Sequence, residues 1–250
     1  MRSELFLPPI VVITLIIVFL LTNSNHSKER KMKKIAMFMA ASVLAVSCAG
    51  EKAEEVTTGE AQEVMEVAEA TSYTLAEESS ITWRGFKSFV NSEHVGYIGV
   101  QGGSFDVKDG MVVGGTVTID MNAIVNTDIE DEGKNGYLVG HLKSEDFFFV
   151  ESYPTAQFEI VEVKAAEGEM TNSTVVGNLT MRGVTNSIEF PANITVSEEG
   201  VSFMAPTFGI DRTKWGVKFH DREDASIAES LKEDLIDHTI ELKFDVKANA

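Results

Sequence analysis

A single cysteine, Cys48, is present in the whole chain. No intrachain disulfide can staple the fold, and no cysteine pair can supply a metal site. Proline is scarce at 5 residues, and two of these, Pro8 and Pro9, break the first apolar stretch, Leu5 to Leu21. Only about a dozen apolar residues then run on without interruption, fewer than the roughly 20 needed to span a bilayer as a helix. Basic charge is in deficit: 21 Lys and Arg stand against 39 Asp and Glu, a formal net charge of -18. Nucleic acids are bound by basic surfaces that release counterions, so this balance excludes a DNA or RNA partner.

What is present is ordinary for a globular chain, with 44% hydrophobic and 24% charged residues, and a length that suits one or two domains. The N-terminal part differs from the rest. It carries Arg2, Lys28, Arg30, Lys31, Lys33 and Lys34 against only Glu4 and Glu29. Met32, Lys33 and Lys34 followed by the apolar run Ile35 to Val46 read as a secretion signal, with small residues just before Cys48. Residues 1–47 are therefore expected to be a targeting region whose true start is Met32. The segment "LAVSC" resembles the lipobox of bacterial lipoproteins, apart from Ala45 where leucine is usual. That resemblance implies a lipid on Cys48, and several acyl chains would hold the protein on a membrane without a spanning helix. Residues 48–72, rich in Glu and Ala, read as an acidic solvated tether.

From Tyr73 onward the apolar pattern has period two. Val117, Ile119 and Met121 alternate with Thr116, Thr118, Asp120 and Asn122, and Val175, Leu179 and Met181 with Asn178, Thr180 and Arg182. The cleanest run sets Ile240, Leu242, Phe244 and Val246 against Thr239, Glu241, Lys243, Asp245 and Lys247. Such alternation marks strands with one dry and one wet face. Turn signals recur at Asp109-Gly110, Gly114-Gly115, Glu167-Gly168, Arg182-Gly183 and Glu199-Gly200. About eight strands without regular intervening helices predict an all-β fold, an antiparallel meander closed into a barrel. One or two short helices are expected, one opening near Ser144 as a cap and one over Ser226 to Leu235.

Motifs of catalysis are few. His94, His141, His220 and His238 fall in no metal-binding pair and read as structural or surface histidines. "DIEDEGKNGYLV", from Asp128, has Val139 where a calcium loop needs a bidentate glutamate, and it reads as an acidic loop. The glycines of "GYIGVQGG" lie in a strand pattern and mark bends. No serine lies in G-x-S-x-G. Asp211 and Arg212 form the best polar candidate, either an ion pair at a strand end or a headgroup contact. The apolar inventory is richer, with 15 Phe and 10 Met, and an eight-stranded barrel has a bore that side chains can fill or a slim ligand can occupy.

Five segments in order, "ITWRGFK", "SEHVGYIGVQGGSFDV", "HLKSEDFFFVESYPTAQFEI", "VGNLTMRGVTNSIEFPA" and "FGIDRTKWGVKF", resemble the YceI-like, polyisoprenoid-binding family in its lipoprotein form. The resemblance covers residues 73–250. His94 and Gly96 match its H-x-G stretch. His141, Leu142, Ser144, Asp146, Phe147, Phe148, Tyr153, Pro154 and Phe158 match the aromatic stretch. Leu179, Thr180 and Gly183 match a turn, and Asp211, Arg212 and Trp215 a D-R-x-x-W segment. Asn178, at an often acidic position, and the additional Phe149 depart from the pattern.

The resemblance implies an eight-stranded antiparallel lipocalin-like barrel that holds a long-chain isoprenoid or other lipid outside the cytoplasm, facing the periplasm, with no cofactor and no catalytic set. Besides the lipid ligand, the expected partner is the membrane reached through the lipid anchor, and a homodimer is allowed for. The residues expected to meet the ligand are Trp83, Phe86, His94, Ile98, Phe105, Ile119, Leu142, Phe147, Phe148, Phe158, Leu179, Met181, Phe190, Phe208, Asp211, Arg212, Trp215 and Leu242. The alternatives are an enzyme acting on an isoprenoid or quinone-like lipid through His94, His141 or Asp211, and a structural or stress-protective envelope protein with an empty barrel.

Overall fold

The computed structural model describes residues 52–168, 170–224 and 229–249. The targeting region, Cys48 and the first part of the second helical candidate, Ser226 to Ala228, lie outside the described residues. In chain order the elements are β1 (Thr57–Glu60), β2 (Thr71–Leu75), β3 (Ser80–Lys87), β4 (Glu93–Lys108), β5 (Met111–Asp120), β6 (Val125–Asn126), α1 (Glu132–Lys143), β7 (Thr155–Ala165), β8 (Ser173–Met181), β9 (Val184–Ser197), β10 (Gly200–Asp211) and β11 (Ile236–Asn249).

The strands close on themselves. β4, β5, β7, β8, β9, β10 and β11 pair in succession, and β2 and β3 together occupy one position between β11 and β4. The result is an eight-stranded antiparallel barrel with one α-helix among the described residues, as the alternation predicts. β9 and β10 pair directly only over Asn193–Ser197 and Gly200–Met204, and β1 takes the edge that β9 leaves beyond them. Tight hairpins form where the turn signals ask for them: Asp109 and Gly110 (φ 53° and 74°) and Arg182 and Gly183 (φ 50° and 74°) supply the left-handed pairs of two-residue hairpins. Gly114-Gly115 is no turn. It lies inside β5 beside a register shift against Asp106 and Val107, where a bulge bends the wall. Pro206, which cannot donate to a ladder, sits in a second irregularity between Ala205 and Phe208.

Three further sequence readings are corrected. Ser144 ends a helix instead of opening one: its N–H and its hydroxyl both donate to the His141 carbonyl. The acidic stretch read as a loop runs into α1, which Asp131 caps by accepting from the Lys134 N–H at 2.8 Å. Gly133, Gly136 and Gly140 lower its helix propensity, and only Leu142 is fully buried. The local pattern therefore carried no helical signal. The second helical candidate appears only as a 3-10 turn, Glu229–Asp234.

The segment read as a tether is a strap from Lys52 to Gln62. The Val56 N–H donates to the Gly209 carbonyl at 2.9 Å and the Gly209 N–H to the Glu54 carbonyl at 2.9 Å. β1 then pairs antiparallel with β9. Gln62 closes the strap on Asn178, whose side-chain amide accepts from the Gln62 N–H at 2.9 Å and donates to its carbonyl at 2.7 Å. Under this strap the outward face is no longer wet. Glu241, Thr239 and Asn178 are buried, because the segment supplies the hydrogen bonds that water would otherwise give.

Inside, the lower barrel is filled by phenylalanines. Phe190 stacks on Phe208 at 4.6 Å between ring centroids and meets Phe158 and Phe244, each at 5.5 Å. Phe105 stacks on Phe203 at 5.3 Å. Gly177 makes room for this layer, since a Cβ there would lie 2.3 Å from the Phe158 ring. Burial of each ring contributes about 1.5–3 kcal/mol.

Candidate functional site

At one end of the barrel lie the tight β4–β5 and β9–β10 hairpins, and the second end carries the β8–β9 hairpin together with α1, the 144–154 turn and residues 212–224. A cavity of about 390 Å³ opens at this second end, within the size range of small-molecule sites. Its floor is Ile81, Ile98 and Phe244, which the strand registers place in one layer. Trp83, Leu242, Ile119, Ala156, Leu179 and Met181 form the wall above. Trp83 is fixed by its indole N–H donating to the Val125 carbonyl at 3.1 Å, and Gly96 allows this approach, since a Cβ there would lie 1.8 Å from the same oxygen.

The mouth is roofed by α1 and the aromatic turn. Leu138, His141 and Leu142 descend from α1, and Phe147 and Phe148 from the turn after it. The Ser144 carbonyl accepts from the N–H groups of Phe147 at 3.2 Å and Phe149 at 2.8 Å, and Arg182 donates to the Phe147 carbonyl at 2.5 Å. The Phe147 ring meets the His141 ring edge-on at 4.9 Å and the Phe219 ring at 5.3 Å. Phe149 turns away with φ 47° and packs on Tyr153. Two of the three consecutive phenylalanines thus face the cavity.

Polar groups gather at the rim. His94 Nδ1 lies 2.9 Å from Asp128 Oδ2, His141 Nε2 3.0 Å from Asp146 Oδ2, and His220 Nδ1 3.1 Å from the Asp234 carbonyl. Burial pushes the Asp128 carboxyl up, but hydrogen bonds from Val95, His94 and Asn126 and the charge of His94 outweigh it and hold the carboxyl below its usual value. Lys87, paired with Asp234 at 3.0 Å, and Glu93 complete the rim. Among the described residues no group of three His, Cys, Asp or Glu could hold a metal ion.

Of the residues expected to meet a ligand, Trp83, Phe86, His94, Ile98, Ile119, Leu142, Phe147, Phe148, Leu179, Met181, Arg212 and Leu242 line the cavity. Phe105, Phe158, Phe190 and Phe208 do not: they belong to the packed layers beneath the floor. Trp215 is fully buried with its N–H on the Leu179 carbonyl at 2.8 Å. Asp211 and Arg212 do not act as a headgroup pair. Asp211 accepts from the N–H and hydroxyl of Thr213 at 2.9 and 2.6 Å. Arg212, 1% exposed, donates to the carbonyls of Val217 at 2.6 Å, Asp237 at 2.8 Å, Phe219 at 3.0 Å and Ile236 at 3.2 Å. It ties residues 217–219 to the start of β11, and burial lowers its pKa against the opposing pull of Asp221, Asp211 and Asp237.

Sequence reasoning missed Tyr137, Leu138, Phe219, His220 and Ile236 as lining residues. The first two lie on the helix that the pattern concealed, whereas Ile81 and Phe244 follow the same alternation as their neighbours and were open to detection.

The segment matched to the UPF0312 protein YE1254 of Yersinia enterocolitica is 33% identical over 132 residues, 48% of this chain and 63% of that protein. For the UPF0312 protein PA0423 of Pseudomonas aeruginosa identity is 36% over 110 residues, 41% of this chain and 52% of the relative. The chain thus matches half to two thirds of the length of these curated relatives. A solved polyisoprenoid binding domain from Saccharophagus degradans superimposes with a TM-score of 0.48 at 16% identity, covering 71% of this chain and 98% of that one. With residues 73–248 matched by the model of the YceI-like domain, the chain belongs to the YceI-like domain family.

Proposed function

We propose that the protein is an extracytoplasmic carrier, held on a membrane by acyl chains at Cys48, that shelters the hydrocarbon part of an isoprenoid or similar long-chain lipid for storage or transfer. The observation that carries this reading is the cavity: an apolar pocket floored by Ile81, Ile98 and Phe244 that opens through a rim of polar side chains. Burying one five-carbon unit there contributes on the order of 4 kcal/mol gross, at about 0.8 kcal/mol per methylene. A few units offset the roughly 4–15 kcal/mol of association. Organic extraction of the purified protein tests the reading, with a stoichiometric isoprenoid or other long-chain lipid expected. Recovery of lipid-free protein whose unfolding temperature ignores added lipid would instead favour the empty-barrel envelope role. Intact mass of the mature protein reports on the anchor separately, as the mass of a triacylated N-terminal cysteine.

A catalytic reading draws support from His94 and His141, which both face the cavity and each hold a carboxylate partner. Incubation with prenols and quinones distinguishes it. Turnover lost in His94→Ala and His141→Ala would establish an enzyme, and lipids recovered unchanged are the outcome expected of a carrier.

A further inference from the structure

We infer that the cavity is a ruler that accommodates only about three isoprene units, with the ring of Phe244 as its stop. This rests on the carrier reading above and narrows its ligand. The bore does not run the length of the barrel. Phe244 lines the cavity from below, and on its far side it meets Phe158, Phe190 and Phe208 at 5.5–5.8 Å between ring centroids. These three rings are 1–3% exposed, and none of them lines the cavity. Ile81 and Ile98 occupy the same layer as Phe244, so the floor extends across the β11, β3 and β4 wall.

The depth above the floor sets the length. Ile81 in the floor and Lys87 at the rim are six residues apart on β3, about 20 Å along a strand and about 15 Å along the axis of a barrel whose strands tilt by about 40°. An extended isoprene unit, four carbon–carbon bonds of about 1.5 Å each, spans about 5 Å, so about three units reach from floor to rim. Further units would have to leave through the mouth, past the rim of His94, Glu93 and Asp234, where they regain water contact and lose the benefit of burial. A longer chain therefore gains nothing from the barrel, whereas a membrane continues to reward every added unit.

The experiment is the partition of prenols of two, three, four and eight isoprene units between phosphatidylcholine vesicles and the purified full chain. The protein-to-vesicle ratio should change less than about threefold up to three units and fall by at least about tenfold for each unit beyond. In Phe244→Ala the break should move one unit longer, with Phe244→Leu between the two. A ratio that stays level from two to eight units in the unaltered protein would overturn the ruler and leave the carrier intact. Absence of binding at every length would overturn both. The series on the unaltered protein decides the matter even if Phe244→Ala does not fold.

Discussion

The carboxylate of Glu241 is held between Arg84 and the backbone of Ala53. Arg84 Nε lies 2.8 Å from Oε2 and Nη2 3.2 Å from Oε1, and the Ala53 N–H donates to Oε1 at 2.7 Å. Glu241 is 2% exposed although it stands on the outward face of β11. The strap has turned a surface residue into an interior one. Glu241→Ala leaves half-buried Arg84 only its longer contact with Glu93, at 3.8 Å, and the strap without its acceptor, so a loss of about 1.5–3 kcal/mol is expected by urea unfolding. Amide exchange at Val56, whose N–H bonds Gly209, should accelerate by more than the global loss explains. Unaltered exchange there would show that the strap holds without Glu241.

Ala156 lines the cavity from β7, opposite Ile119 across the β5 pairing. A phenyl ring at this position has open space to enter, so Ala156→Phe should alter stability by no more than about 1–3 kcal/mol, the usual range of added bulk. Prenol binding should fall at least about tenfold, read by vesicle partition. Retained affinity would show that the ligand lies elsewhere.

Phe190 touches four other rings and lies beneath the floor. Phe190→Ala should cost about 3–5 kcal/mol through lost burial and a residual void, measured by thermal or urea unfolding. A cost below about 1 kcal/mol would mean that this layer is not the close-packed plug described above.

Asp237 gives a pH signature. Burial pushes its carboxyl up, but hydrogen bonds from Lys52, at 2.6 Å, and the Thr239 N–H, with the charges of Lys52 and Arg222, hold it below its usual value. Asp128 and Asp221 are lowered in the same sense. A carboxyl with a lowered folded pKa stabilises fully above the unfolded value near about 4 and loses that contribution as pH falls through the folded value. Asp237→Asn should therefore cost about 0.5–1 kcal/mol at pH 7, a modest figure because Lys52 is partly exposed. As pH falls from about 4 through the folded value, the variant and parent should converge in urea unfolding. A difference that does not narrow as pH falls would assign the loss to packing.

The alternation of Ile240, Leu242, Phe244 and Val246, with the Asp109-Gly110 and Arg182-Gly183 turns, determined the strands, their dry faces and their antiparallel order, because side-chain direction and turn geometry depend on nearest neighbours in the chain. The barrel was legible on that basis, and its mouth aromatics Phe147 and Phe148 through the resemblance of their stretch to the family's. The helix over residues 132–143 was not, since its three glycines and single buried leucine leave no apolar stripe. Nor was the strap, whose polar residues gain partners only when Glu241 and Asn178, far along the chain, stand beside them. Most of all, Leu242 and Phe190 read alike as dry, yet one borders open space and the other fills it. Tertiary structure alone decided this, because a vacancy is what remains when side chains from distant strands have been packed around a closed circumference.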